Sequence, residues 1–320
     1  MYKVVLTCPI VKEGMAVLEA RPDVEVTVVR NWSSETAKGP MADADALIAG
    51  VEPVPADILA AAPRLRVVSR IGVGVDSVDE AHLTARGVPL CITTGANAHS
   101  VAEHTLLLLL AMAKDFRSAQ DAVSTNTWQW RASQSAQEVR GKTALIIGFG
   151  HTGQAVAALC AALGMRVIAY SRSIDKSPLP GVEMTRDFRS WLPEADVISL
   201  HVPYSPETHH MLTAEDMTRI RRGAFLINVS RGGLLDESLL LQALNEGILG
   251  GVGLDVFETE PVDPNSPLLR HPRSFFTPHN AGRTKECMVQ MCAQAAQNAL
   301  DVLDGSPNPR MVFNRQVLGA

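Results

Sequence analysis

The 320-residue chain is poor in cysteine and carries no basic block and no long apolar run. Its five cysteines, Cys8, Cys91, Cys160, Cys287 and Cys292, form no C-x-x-C pair and no regular spacing. That argues against a disulfide framework, and scattered thiols suit a reducing cytoplasm. With 29 Lys+Arg against 34 Asp+Glu the formal charge is -5, and the densest basic cluster is only Arg219, Arg221 and Arg222. A general affinity for nucleic acid is not expected from such a surface. The most apolar run, 106–113, is far short of the roughly 20 residues of a membrane span and reads as a buried helix. The start, "MYKVVLTCPI", lacks the apolar stretch of a secretory signal. The expectation is a cytoplasmic protein with neither membrane nor nucleic-acid partners. No short-period repeat or low-complexity segment interrupts it. At 46% hydrophobic and 20% charged residues the composition is that of an ordinary globular chain, long enough for two domains.

What is present is alternation. Short β-branched runs trade places with helical stretches, the pattern of an α/β fold with parallel sheets. A first series, at 3–7, 24–29, 46–50, 65–69 and 88–93, predicts a small doubly wound sheet. A long helix follows over 100–115, with Ser100 expected as its N-cap and Glu103 at the capping-box position. A second series opens at "TALIIGFG" (143–150) and continues at 165–170, 196–202, 224–230, 250–256 and 274–277. A helix over 284–303 and a short proline-containing tail end the chain. Two successive α/β units predict two domains with a cleft between them.

The first strong motif is Gly148-Phe149-Gly150-His151-Thr152-Gly153, a G-x-G-x-x-G that follows an apolar strand and opens a helix. Gly148 permits the tight turn, Gly150 lets a pyrophosphate approach the backbone, and Gly153 lets helix and strand pack closely. The free N–H groups and positive dipole of the helix end attract the phosphates. About 20 residues further on, a design for NAD presents an acid to the ribose. Here "VIAYSRS" (167–173) has no acid, only Ser171, Arg172 and Ser173. An aspartate would repel a 2′-phosphate, whereas arginine makes charge-assisted, bidentate bonds to it, with the two serines as further donors. The expectation is a preference for NADP(H), with NAD(H) still usable.

"IGVGVDSVD" (71–79) has Gly72 and Gly74 but no third glycine. It reads either as a turn whose N–H groups hold a small anion or as a plain structural turn. Three further stretches end predicted strands: "NVSRGGLLD" (228–236), "LDVFETEP" (254–261) and "TPHNAG" (277–282). Ligands gather at the carboxyl ends of parallel strands, so Arg231, Glu260 and His279 are expected in one crevice. That trio suits reduction of a 2-keto acid. Arginine binds the carboxylate and polarises the keto oxygen, histidine delivers the proton, and a neighbouring carboxylate favours the charged imidazolium. Taken singly, each also has an ordinary reading: a salt bridge, a loop acid, a cap.

Together the motifs "RIGVGVDSVD", "GANAHSVAEHT", "GFGHTG", "HVPYSPETHHML", "NVSRGG", "DVFETEP" and "TPHNAG" resemble, essentially end to end, the D-isomer-specific 2-hydroxyacid dehydrogenases. The resemblance implies a flavodoxin-like substrate domain built from both chain ends, 1–97 and 287–320, and a Rossmann cofactor domain over 98–286, in a homodimer. It implies that Arg231 binds substrate, Glu260 tunes the histidine, His279 is the acid and base, and backbone at Val73 and Gly74 holds the substrate carboxylate. For the cofactor it implies His151, Thr152, Pro203, Thr208, Val229, Asp255 and Gly282, beside the glycines and the 171–173 segment.

Three positions depart from the family pattern. Ser171-Arg172 replaces a common aspartate, which is similar to the NADP-using glyoxylate and hydroxypyruvate reductases. Thr152 stands where isoleucine is usual, and Asn280 where many members carry an apolar residue. The expected activity is NAD(P)H-dependent reduction of a small 2-keto acid such as glyoxylate or hydroxypyruvate. The alternatives are D-3-phosphoglycerate dehydrogenase, for which Arg70 could meet a phosphate but no regulatory domain follows, and a nucleotide-sensing binding protein like the corepressors that resemble this family. His209 and His210 read as solvated loop residues and not metal ligands, so no metal site is expected. Glu103-His104 fits a helix start, and Trp128 and Trp130 fit either a dimer interface or a cap on the cleft.

Overall fold

A computed structural model describes residues 1–133 and 135–319. The chain divides into two compact units, Met1–Asn97 with Arg283–Ala320, and Ala98–Gly282. The helix Lys285–Leu303 belongs whole to the first unit, so the second division falls ahead of it and not inside it at Glu286.

In the first unit five parallel strands, β1 (Tyr2–Leu6), β2 (Val24–Val28), β3 (Ala46–Ala49), β4 (Val67–Arg70) and β5 (Leu90–Cys91), lie in the order β2-β1-β3-β4-β5. This is the flavodoxin-like order. Val4, Leu6, Ala46 and Ile48 are fully buried on one face under Ala295, Ala296, Ala299 and Leu300 of the helix Lys285–Leu303. The alanines let that helix lie close to the sheet. Thr284 caps it, its side chain accepting from Cys287 N at 3.2 Å. Val5, Leu47 and Val68 fill the opposite face.

The second unit carries seven parallel strands: β6 (Thr143–Ile147), β7 (Arg166–Tyr170), β8 (Val182–Thr185), β9 (Val197–Leu200), β10 (Ala224–Asn228), β11 (Leu249–Leu254) and β12 (Ser274–Phe276). Their order is β12-β11-β10-β9-β6-β7-β8, a Rossmann sheet whose direction of growth reverses at β6. The strands β6, β9 and β10 are buried throughout, as expected of parallel strands covered on both faces. The edge strand β8, "VEMT", was not among the expected strands, because two exposed or half-buried polar residues in four leave no apolar run to read.

Ser100 is not the cap expected of it. The helix begins earlier and runs Ala98–Ala113, and Ser100 sits inside it, buried, its hydroxyl donating to Ala281 O at 2.5 Å. Among the described residues no helix is long and apolar enough to cross a membrane.

Candidate active site

The strand β6 runs into Gly148 at φ +103°, a conformation open to glycine and few others. A Cβ there would strike His201 O, and one on Gly153 would strike Gly148 O, so both glycines are required by close backbone approach. Above Gly150 a Cβ would meet nothing within 4 Å. The following helix, His151–Ala162, has no side-chain cap at its start, so its first N–H groups face this open space. A side chain would fill that cradle and a pyrophosphate fits it, held by backbone donors and the helix dipole. His151 is exposed at the rim and Thr152 and Gly153 follow within the first turn.

At the end of β7, Arg172 and Ser173 are exposed, but Ser171 is buried. Its hydroxyl oxygen accepts from Ser173 N at 3.2 Å and Ile174 N at 3.1 Å. Ser171 therefore shapes the turn that displays its neighbours, a role the sequence did not signal. Arg172 lines a concavity of about 400 Å³ together with Tyr170, Val202, Pro203, Thr208 and Met211. Pro203 and Thr208 belong to one closed loop: Thr208 Oγ1 donates to Pro203 O at 2.9 Å and accepts from Ser205 N at 2.7 Å. Glu207 stands on the same wall. A hydrogen bond from Ser205, its own backbone N–H and the charge of Arg172 hold its carboxyl below the usual range. Beneath the glycine turn, burial pushes the His201 imidazole down to about 3, leaving it neutral, with Nε2 2.8 Å from Ser199 Oγ.

Across the same sheet edge, the loops after β10, β11 and β12 meet. A Cβ on Gly232 would overlap the Phe257 backbone, so the loop that carries Arg231 lies directly on the loop that leads to Glu260. Asn228 Nδ2 donates to Arg231 O at 2.8 Å, and Arg231 Nη1 donates to Ser230 O at 2.6 Å. Glu260 Oε1 accepts from Phe257 N at 3.0 Å, and its Oε2 accepts from His279 Nδ1 at 2.7 Å. His279, at φ +50°, is half-exposed and its Nε2 has no partner among the described residues. The pairing of Nδ1 with a carboxylate leaves Nε2 as the atom that can exchange a proton with a ligand.

Asp255, expected at the cofactor, is almost fully buried with both oxygens engaged. Oδ1 accepts from Thr277 Oγ1 at 2.6 Å and Asn280 N at 2.9 Å, and Oδ2 accepts from Ala281 N at 2.9 Å. His279 N donates to Asp255 O at 2.8 Å. Asp255 thus fixes the loop that presents His279. The Thr277 proton is committed to Asp255, so His104 Nε2, 2.8 Å away, donates to Thr277 Oγ1. Neither role was visible in the sequence, where Glu103-His104 fits a helix start. His210 is also more than a solvated residue. Its Nε2 lies 2.7 Å from Glu258 Oε1, and its ring stacks on His209 at 3.8 Å. Val229 is buried at the end of β10, and Gly282 ends the unit.

The first unit holds the remaining residues. Gly72, at φ +133°, donates to Thr93 Oγ1 at 3.0 Å and accepts from Thr93 N at 2.9 Å. The N–H groups of Val73 and Gly74 donate to no acceptor among the described residues. Such a turn suits a small anion.

The sequence profile of the NAD-binding domain of D-isomer specific 2-hydroxyacid dehydrogenases matches residues 106–281. The chain is 34% identical to a glyoxylate reductase of Thermofilum pendens over 99% of its own length and 95% of the relative's. The chain belongs to the D-isomer specific 2-hydroxyacid dehydrogenase family. The dehydrogenase is also 38% identical to a D-3-phosphoglycerate dehydrogenase of Mycobacterium leprae, over 84% of its own length but about half (51%) of that protein's. A crystal structure of a Thermus thermophilus protein, 33% identical, superposes with a TM-score of 0.87 over 97% of the dehydrogenase and 99% of that chain. The enzyme is an oxidoreductase with an NAD(P)-binding domain, acting on a 2-hydroxy or 2-keto acid.

Proposed function

We propose that the enzyme reduces a small 2-keto acid, of glyoxylate or hydroxypyruvate size, to the D-2-hydroxy acid and catalyses the reverse, with NADP(H) preferred over NAD(H). The observation that carries this reading is the Glu260–His279 pair at 2.7 Å on the loop system that also bears Arg231. The nicotinamide, when bound, supplies the hydride. His279 Nε2 gives the proton to the keto oxygen, and Glu260, bonded to Nδ1, orients the ring that gives it. Arg231 binds the substrate carboxylate and polarises the keto oxygen, and in the first unit the Val73 and Gly74 N–H groups are carboxylate-holding donors. In the reverse direction His279 takes the hydroxyl proton.

Residues 98–282 act as the cofactor domain. Gly148, Gly150, His151, Thr152 and Gly153 take the pyrophosphate through backbone and helix end. Arg172 and Ser173 take the 2′-phosphate, with Ser171 shaping their turn. Pro203 and Thr208 wall the adenosine, and Val229, Asp255 and Gly282 support the nicotinamide side. Residues 1–97 and 283–320 act as the substrate domain.

A homodimer fits the exposed apolar residues Leu107, Phe116, Val123 and Trp128, each more than half exposed on three consecutive segments of the second unit. Five free cysteines, four of them buried, fit a reducing cytoplasm.

Initial rates for a panel of 2-keto acids with NADPH and with NADPH replaced by NADH test the reading. The expected outcome is turnover of glyoxylate or hydroxypyruvate with NADPH as the better cofactor. Equal or better rates with NADH overturn the cofactor preference, and turnover of none overturns the reaction. The relatives also support a second reading, oxidation of D-3-phosphoglycerate, which the panel separates by including its keto form, 3-phosphohydroxypyruvate.

A further inference from the structure

We propose that Glu52 selects the substrate by its third carbon, favouring a hydroxyl there and rejecting a phosphate; this deepens the reading of Val73 and Gly74 as the carboxylate-holding turn and rests on it. Glu52 and the 71–74 turn both belong to the first unit. The strands β3 and β4 are neighbours, with Ala49 opposite Arg70, and Ile71 N donates to Ala49 O at 2.8 Å. Gly50 therefore stands one strand spacing, about 4.8 Å, from the start of the 71–74 turn. Beyond it the two loops stay side by side, Val54 N donating to Ser77 O at 2.7 Å and Asp79 N to Val54 O at 3.0 Å.

The Glu52 carboxylate lies back across Gly50. A Cβ on Gly50 would strike Glu52 Oε2 and would come within 2.6 Å of Cys8 Sγ, so glycine makes the space the carboxylate occupies. Thr7 holds it there. Gly50 N donates to Thr7 Oγ1 at 2.8 Å, which commits the Thr7 proton to Glu52 Oε2 at 2.6 Å. The Cys8 thiol rests on the same carboxylate; burial, and then the Glu52 charge, push that thiol up. Glu52 pairs with no cation among the described residues, and its Oε1 has no hydrogen-bond partner among them. Arg70, which could have met a phosphate, donates through Nη1 to Ile71 O at 2.9 Å and Ala49 O at 3.4 Å, bracing the loops.

A fixed negative charge thus sits over the carboxyl edge of the sheet, a strand's width from the anion-holding turn, with one acceptor oxygen open. A three-carbon substrate whose carboxylate occupies that turn extends two carbons further, to the keto carbon and a third carbon. A hydroxyl on that carbon satisfies Oε1, a methyl group leaves it unpaired, and a phosphate is repelled. The substrate class is a 3-hydroxy-2-keto acid, not its phosphate ester.

The test uses wild-type enzyme, Glu52→Gln and Glu52→Ala. kcat/KM is measured with NADPH for hydroxypyruvate, pyruvate and 3-phosphohydroxypyruvate, and calorimetric titrations follow D-glycerate and D-3-phosphoglycerate binding in the presence of NADP+. Wild type should discriminate against the phosphorylated substrate by about 10²-fold or more, as expected for like charges at short range, and Glu52→Gln should narrow that gap about tenfold. Glu52→Ala should lower the hydroxypyruvate-to-pyruvate ratio about tenfold by removing the acceptor. A wild type that prefers phosphohydroxypyruvate, or variants that shift all three substrates alike, overturns the proposal. If none of the three turns over, the reaction proposed above falls instead, and the titrations still decide the role of Glu52: wild type binding phosphoglycerate more tightly than glycerate overturns it.

Discussion

The two halves of the carboxyl edge of the seven-stranded sheet are built by different means. At β6 and β7 the working surface is backbone: a glycine at φ +103°, an uncapped helix start and an open space over Gly150. At β10, β11 and β12 it is side chains, Arg231, Glu260 and His279, with the loop of His279 held by a buried carboxylate, Asp255. A backbone surface tolerates changes of side chain so long as no Cβ intrudes. A side-chain surface depends on each atom of its members. The comparison predicts steep losses on one half and shallow ones on the other.

The largest expected effect is His279→Ala, which should lower kcat by at least about 10²-fold, the usual weight of a positioned acid-base group, with NADPH affinity little changed. Single-turnover rates and cofactor titration check it, and an active variant removes His279 from the proposed chemistry. Next comes Asp255→Asn. Both carboxylate oxygens accept hydrogen bonds, so an amide turns one NH2 toward existing donors; loss of about tenfold or more in kcat is expected from the disordered His279 loop. Unchanged kcat would show that the loop holds itself. Arg172→Ala sharpens the other half, because Arg172 is the charged side chain there given a specific task. NADPH binding should weaken by about 1.5–3 kcal/mol, a charged hydrogen-bond loss, while NADH binding barely moves. Equal losses for both cofactors would assign Arg172 to structure. The smallest effect is Thr152→Ile, which restores the residue usual in the family. Held to backbone contacts, the pyrophosphate should bind within about twofold of wild type. A larger change would mean that side chains matter on this half too.

The glycine turn and the three strand-end motifs were legible because each is local: a turn, a helix start and a strand-end loop carry their signals in a few adjacent residues. The support behind them was not legible. Ser171 folds back on its own turn, and Asp255 and His104 converge on Thr277 from 22 and 173 residues away. Such partners are set by strand order, which periodicity does not encode. The start of the helix at Ala98 was missed for a related reason. Ser100 carries the chemistry of a cap, but a buried carbonyl on Ala281 claims its hydroxyl. The edge strand β8 escaped because an edge needs little apolar surface to pair.

The first unit is completed only by the last stretch of chain. Ser69 Oγ donates to Ala295 O, Asn298 Nδ2 to Ile92 O, and Leu90 N to Asn314 Oδ1, all buried. During synthesis residues 1–97 leave the ribosome with all five strands but long before the covering helix Lys285–Leu303 exists, whereas 98–282 carry the helices that pack on their own sheet. The part of the protein made first is therefore finished last, and its bare sheet face is the surface a chaperone would meet on the nascent chain.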